Sequence, residues 1–259
     1  MAGPREIAVA RRWFRLRGRH PTETQDALIV ATPAFPDTWD ANFALAKPRA
    51  DPPRLIKALD AAMEHSKWRV VMSDVLTDPG VDAALAMTGF EQGSPTIEML
   101  LTDDPARHRS LPAIETVPVE SEADWSRLEH LVRIDHDEGR RTGDTSAALS
   151  RGLIAAMRTA ARPGDYEIIR MGGRDIGYGL ALACPGGLGL IEHLFTAPEA
   201  RGRGAMTAFI VHAVERLRRQ GCSGTFLDAH AHDTPRFLYQ RLGFVPIALN
   251  RCWARRLSS

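Results

Sequence analysis

The sequence predicts a mixed α/β fold, and three observations carry that expectation. Short apolar runs bounded by glycine or proline turns alternate with longer segments whose apolar residues recur at helical spacing. A glycine-arginine loop, Arg201-Gly202-Arg203-Gly204, joins one such run to one such helix. The string Ala84-Leu85-Ala86-Met87-Thr88-Gly89-Phe90 resembles Leu238-Tyr239-Gln240-Arg241-Leu242-Gly243-Phe244, so one unit of structure is expected twice.

Taken along the chain, Arg11 to Arg17 (Arg-Arg-Trp-Phe-Arg-Leu-Arg) is basic and amphipathic and forms a terminal element. Leu55, Ile56, Leu59, Ala62 and Met63 make an apolar helical face, started by Asp51 before Pro52, and Arg69-Val70-Val71-Met72 reads as a strand. Charge and two prolines between Thr102 and Pro112 suit a short linker. Ala113 to Val119 is then a strand, followed by helices over Glu122 to Ile134, capped by Ser121 with Asp124, and Thr145 to Thr159. Tyr166 to Met171 and Ile176 to Ala183 flank Gly172-Gly173-Arg174-Asp175, a hairpin signal. After the turn Pro185-Gly186-Gly187, Leu188 to Phe195 reads as a buried strand. Phe209, Ile210, Ala213, Val214 and Leu217 define a helix that Gly221 closes. Thr225 to Asp228 is a short strand and Pro235 to Arg241 a short helix.

The loop carries the chemistry. Gly202 and Gly204 can take backbone angles closed to other residues and bring N–H groups close to an anion, and the next helix adds its unpaired N-terminal donors. That is a phosphate cradle, to which Arg201 and Arg203 add planar guanidinium groups. Thirty of the thirty-three basic residues are arginine, so general surface charge also explains these two. A Walker loop needs Lys then Ser or Thr after its last glycine, and a dinucleotide fingerprint needs a third glycine; Ala205, Met206 and Thr207 satisfy neither. The stretch resembles instead the Arg/Gln-x-x-Gly-x-Gly/Ala signature of the GNAT acyltransferases, with Arg201 and Gly204 in register and Met206 departing at the last position. Leu238 to Phe244 resembles that family's second signature, Leu-Tyr-x-x-x-Gly-Phe.

The resemblance implies a mixed, largely antiparallel sheet flanked by helices. It implies acetyl-CoA (CoA) as acyl-donor substrate, with the acetyl group passing directly to a primary amine. The cofactor-binding set it implies comprises Leu194, Phe195 and Thr196, on a strand splayed from its neighbour, and the cradle Arg201, Gly202, Arg203, Gly204, Ala205, Met206 and Thr207. His232 joins them where relatives carry an asparagine on the pantetheine arm. Tyr239 would protonate the departing thiolate, since a phenol is neutral at physiological pH; packing of a half-buried aromatic is the alternative. Glu192, on the strand face of Leu194, is the candidate general base, against the plain reading of a solvated edge-strand carboxylate. His193, expected on the opposite face, is second choice. Asp137, Glu138 and Arg140, in the polar connection His136 to Asp144, are candidates for acceptor contact, although a solvated loop explains them too. Trp39 and Asn42, within the turn-rich stretch Pro33 to Phe43, are further cleft candidates, with core packing as the alternative.

Two other function classes compete. His230-Ala231-His232 could hold a metal, but the His-x-His-x-Asp-His pattern of metal-dependent hydrolases needs Asp and His where Thr234 and Pro235 stand, so no metal is expected. Met206 and His232, both departures from the family pattern, leave open a non-catalytic acyl-CoA-binding or regulatory module.

Gly89 and Gly243 lie 154 positions apart, and the same offset maps the later helix and strand onto the apolar face of 55–63 and the strand of 69–72. The cradle maps onto Lys47-Pro48-Arg49-Ala50-Asp51-Pro52, which has no glycine, and the tyrosine onto Leu85. Proline lacks the N–H a cradle depends on. Residues 1–103 are therefore expected to be a degenerate, non-catalytic copy, 104–112 a linker and 113–259 the catalytic domain, giving two similar domains in tandem. A net charge of +1 makes no electrostatic case for nucleic acid. No apolar run suits a membrane helix or signal, and three cysteines without metal or redox spacing suit a reducing cytoplasm. The expected partner is a small-molecule or peptide amine acceptor, with no nucleic acid or membrane, and the chain is expected as monomer or homodimer.

Overall fold

The computed structural model describes residues 2–105, 111–139 and 147–257. Among these, twelve strands join in one sheet. The N-terminal half supplies helix α1 (Pro4–Leu16), strands β1 (Thr22–Glu23), β2 (Ala27–Val30) and β3 (Phe43–Ala46), helix α2 (Pro52–Ala62), β4 (Trp68–Ser73), α3 (Pro79–Met87), β5 (Glu91–Gln92) and β6 (Thr96–Leu101). The remainder is β7 (Glu115–Pro118), α4 (Glu122–Gly139), α5 (Ala147–Ala160), β8 (Tyr166–Met171), β9 (Arg174–Cys184), β10 (Leu188–Thr196), α6 (Ala205–Arg219), β11 (Gly224–His230), α7 (Pro235–Arg241) and β12 (Phe244–Arg256). The spatial order is β1-β2-β3-β4-β12-β6-β11-β10-β9-β8-β7, with β5 also on β12. The sheet is largely antiparallel; β3 with β4 and β10 with β11 are the parallel pairs.

Those two parallel pairs share one order of elements. Each is a strand, a helix, a parallel strand and a shorter helix, and each shorter helix is followed by a glycine at positive φ, Gly89 at 81° and Gly243 at 90°. Glycine adopts that conformation without the steric cost a side chain would bring, so it ends both helices in the same way. The halves also share elements across residues 104–112. Strand β6 lies between β11 and β12, and β12 pairs with β6 over Phe244 to Asn250 and with β4 over Arg251 to Arg256.

Helix α1 obeys the helical period with Ile7, Ala10, Arg11 and Phe14 buried, at spacings of three and four. Its apolar residues join α4, α5 and strands β8 to β11 in one core on one face of the sheet. Helices α6 and α7 fill the other face, around Phe209, Val214, Leu217, Tyr239 and Phe244. Helix α6 sits so close that a Cβ on Gly179 of β9 would lie 2.4 Å from the Phe209 ring. Helices α2 and α3 build a separate core on β2 to β4 that is closed by Trp253 of β12. The expected helix over 122–134 runs on to Gly139, and β6 and most of β12 fall where no strand was expected.

Candidate active site

The site begins where two strands part. Parallel pairing of β10 with β11 stops at Leu190 and Phe226, while β10 continues to Thr196 and β11 to His230. Between Glu192, opposite Leu180, and Phe195, opposite Tyr178, β10 carries one residue more than β9, a β-bulge that bends the strand away. His193 sits in the bulge at φ 51°, a left-handed conformation rare outside glycine. Strict alternation fails there, so Glu192, His193 and Leu194 all border one cavity. The expectation that His193 faces away from Glu192 is therefore corrected; its Nε2 lies 4.0 Å from Glu192 Oε1. Its Nδ1 is 2.6 Å from the buried Tyr166 hydroxyl.

Two cavities meet at this parting. The cleft over α6, about 820 Å³, is lined by Leu194, Phe195 and Thr196, by Arg201, Gly202 and Gly204, and by Ala205, Met206 and Thr207, with α7 opposite. The central cavity, about 410 Å³, is lined by Arg11, Phe14, Arg15 and Arg19 from the N-terminal segment, by Glu192 and Asp228, and by α5. Leu194, Asp233, Pro235 and Tyr239 border both.

The donor side fits a phosphorylated group. Gly204 caps α6 in the left-handed region at φ 80°, and the first turn of the helix borders the cleft. Arg201 Nε donates to the Thr196 carbonyl at 3.0 Å, tying the loop to the end of β10. Met206 is half-buried, packing partly into the α6 core while still bordering the cleft. Arg203 is exposed and does not line the cleft, and exposed His232 lines neither cavity; Asp233 and Thr234 stand there instead. At the matching helix start in the N-terminal half, Asp51 accepts from Arg54 N at 3.0 Å and Asp26 accepts from Asp51 N at 2.7 Å. Carboxylates occupy the donors that a phosphate would need.

The central cavity is organised by Arg11, only 2% exposed. Its guanidinium bonds Glu98 at 2.6 and 2.9 Å, bonds Glu192, and lies 3.5 Å from Asp228. Asn250 of β12 donates to Glu98 at 2.5 Å. Glu192 is thus not a solvated edge carboxylate, since β10 is interior to the sheet and the side chain is 14% exposed. Three carboxylates share one guanidinium, and full ionisation would leave excess negative charge in a buried place. Asp228, the most distant of the three, takes that cost: burial, then the Glu192 charge, pushes its carboxyl up to about 7 against the pull of Arg11. For Glu192, burial acts upward too, but Arg11 and His193 outweigh it and hold the group below the usual carboxylate range. Burial, then the charges of Asp228 and Glu192, keeps the Tyr239 phenol protonated far above the usual tyrosine range.

Asp228, Arg11 and Arg15 were not singled out as site residues. In the sequence Asp228 stands out only as the end of a short strand, and the arginines only as part of a basic run. Of the other cleft candidates, Trp39 borders a smaller neighbouring cavity. Asn42 is a structural brace: it accepts from Thr32 N at 2.8 Å and donates to the carbonyls of Phe35 and Thr38. The side chains of Asp137, Glu138 and Arg140 lie outside the described residues. Among the described residues no group of three or more His, Cys, Asp and Glu side chains is placed to hold a metal ion. No described helix is long and apolar enough to cross a membrane.

A layered α/β protein with a splayed parallel pair, a glycine-capped helix on one side and a carboxylate on the other has the fold of the GNAT acyltransferases. The family model for the Acetyltransferase (GNAT) family matches residues 125–244, and the chain carries a GNAT-family domain there. The chain resembles a functionally unknown conserved protein from Staphylococcus epidermidis, with 15% identity over 93% of this chain and 95% of that one and a TM-score of 0.66. It also resembles a GCN5-related N-acetyltransferase from Kribbella flavida, with 17% identity over 98% and 96% and a TM-score of 0.63. A tandem GNAT protein from the clavulanic acid biosynthesis pathway shares the fold at 16% identity over 84% and 76%, TM-score 0.55. No curated protein matches the chain by sequence.

Proposed function

We propose that the protein transfers an acyl group, acetyl in the first instance, from acyl-CoA to a primary amine held in the central cavity. The observation that carries this reading is the meeting of the two cavities at Leu194 and Tyr239, with the α6 N-terminus on one side and Asp228 on the other. The loop 201–204 and the first turn of α6 hold the pyrophosphate, and main-chain groups of Leu194 to Thr196 hold the pantetheine and the acyl oxygen. The bound thioester supplies an electrophilic carbonyl carbon. Asp228, with a carboxyl near neutrality, accepts the proton that the amine loses as its nitrogen attacks. Glu192 keeps Arg11 in place and raises Asp228, and so acts as a positioning residue. Tyr239 Oη donates its proton to the sulfur as the C–S bond breaks.

Thermal-shift titration of the full chain with acetyl-CoA, CoA and ADP tests the donor assignment, because a ligand bound only by the native state raises stability by mass action. A rise with all three is expected, and no shift at saturating acetyl-CoA sinks it. Tyr239→Phe separates enzyme from binding module: CoA binding is expected to persist while transfer slows, whereas absence of transfer to any amine from the wild-type protein favours the module.

A further inference from the structure

Arg11, Arg12 and Arg15 lie on the second half of α1 and Arg17 just past its end, and three of the four have carboxylate partners. Arg11 is held by Glu98 and Glu192, Arg12 pairs with Asp74 at 2.6 Å, and Arg17 with Asp165 at 2.5 Å. Arg15 has no ion pair or hydrogen bond among the described residues, although it is half-buried and lines the central cavity and the smaller one beside it. Its charge reaches Glu192 and Asp228 without a direct contact, so its N–H donors are left to face the cavity, where a planar guanidinium can take an anion. Arg19 lines the same cavity, donates to the Asp40 carbonyl, and lies over the Phe43 ring at 5.3 Å. Its Nε is buried without a partner. Burial lowers the Arg19 pKa, and the nearby Arg15 charge lowers it further against Asp40. An anion in the cavity that both guanidiniums line would offset the cost at Arg19. Asp228, the proposed base, lines the same cavity, within reach of the Arg15 charge.

We infer that the acceptor is an aminocarboxylate, its carboxylate held by Arg15 with support from Arg19 and its amine directed to Asp228. The inference rests on the acyltransferase reading above and narrows it to one substrate class. A planar guanidinium matches a carboxylate through paired N–H donors, and such charge-assisted bonds are the stronger kind. Acceptors whose carboxylate is amidated or missing leave Arg15 unpaired and are disfavoured.

The test uses the full chain at saturating acetyl-CoA, with the twenty protein amino acids, their carboxamides and the matching decarboxylated amines as acceptors. Thiol release is followed by colour and acetylation by mass. The best amino acid should exceed its own amide by roughly tenfold or more in kcat/KM, the difference lying in KM. That ratio should collapse toward unity in Arg15→Gln and recover in part in Arg15→Lys; a retained acetyl-CoA thermal shift shows that both variants are folded. Equal use of acid, amide and amine by the wild-type protein overturns the aminocarboxylate assignment and leaves the acyltransferase reading intact, and so does an unchanged ratio in Arg15→Gln. If no acceptor is acetylated, calorimetric binding of the same amino acids decides. Binding lost in Arg15→Gln upholds the carboxylate site while the transfer reading falls, and no binding by the wild-type protein overturns the carboxylate site as well.

Discussion

Asp228 and Glu192 are two carboxylates around one arginine, and their environments push them in opposite directions. Such divergence is how one site obtains a permanently charged group and a proton acceptor poised near working pH. A base must be ionised to accept a proton, so kcat/KM is expected to rise as pH climbs through about 7 and to level off above it. Asp228→Asn, close in shape, should lose that limb and about 10²–10⁴-fold in rate. Glu192→Gln removes a negative charge that raises Asp228, so the limb should move to lower pH with much of the activity retained. Collapse of activity in Glu192→Gln with a normal profile in Asp228→Asn would return the base to Glu192. The arginine has a separate, structural consequence. Arg11→Met leaves Glu98, Glu192 and Asp228 without their shared cation in the core, and removing one partner of a buried ionic group costs about 3–5 kcal/mol. Chemical denaturation should show a loss of that size; a change below about 1 kcal/mol would mean that water already screens the cluster.

Among the elements, helix α6 couples fold to chemistry most directly, because its glycine cap both ends the loop and opens the cleft. A Cβ on Gly204 would stand 3.2 Å from Pro112 and would force a non-glycine residue to φ 80°. Gly204→Glu adds a carboxylate to that strain and is expected to abolish the thermal shift given by ADP and CoA while the apo protein still unfolds cooperatively. A preserved shift would move the phosphate site away from α6. Helix α6 was legible in the sequence because its apolar residues follow the helical period and Gly221 punctuates its end, and α7 because Gly243 follows it. Strands β6 and β12 were not. The run Thr-Ile-Glu-Met-Leu-Leu of β6 contains Glu98, a charge that argues for the surface until Arg11 and Asn250 are seen beside it. Strand β12 contains Pro246, at a bulge, and arginines at Arg251, Arg255 and Arg256. The bulge in β10 was equally hidden, since one extra residue leaves no mark on composition yet turns His193 into the cavity. Local period reveals elements. It does not reveal pairings between residues 87 and 181 positions apart, and the charged cluster of the central cavity is made of those.

At the scale of the whole molecule, the repeat reads as two units, but the sheet and the core do not part cleanly between them. The C-terminal unit as drawn from the sequence, 113–259, lacks β6, which stands between β11 and β12, and lacks α1, which places Ile7, Ala10 and Phe14 in the core beside α5. Without β6, β11 and β12 each lose a full ladder, which exposes unpaired strand edges. Burial of Met99 and Leu100 is lost as well, at about 1.5–3 kcal/mol for each side chain. These losses are comparable with the total stability of a domain, about 5–15 kcal/mol. Residues 113–259 expressed alone should therefore be poorly soluble or lack a cooperative unfolding transition. Co-expression with residues 1–112 should restore a soluble complex that binds CoA, because the missing strand and helix are then supplied in trans. A fragment 113–259 that unfolds cooperatively and is stabilised by acetyl-CoA by itself would show that β6 and α1 are accessories. In the expected case the N-terminal half, which has no glycine loop at its matching helix start, is nonetheless indispensable: it provides the strand that completes the C-terminal sheet and the arginines that line the central cavity.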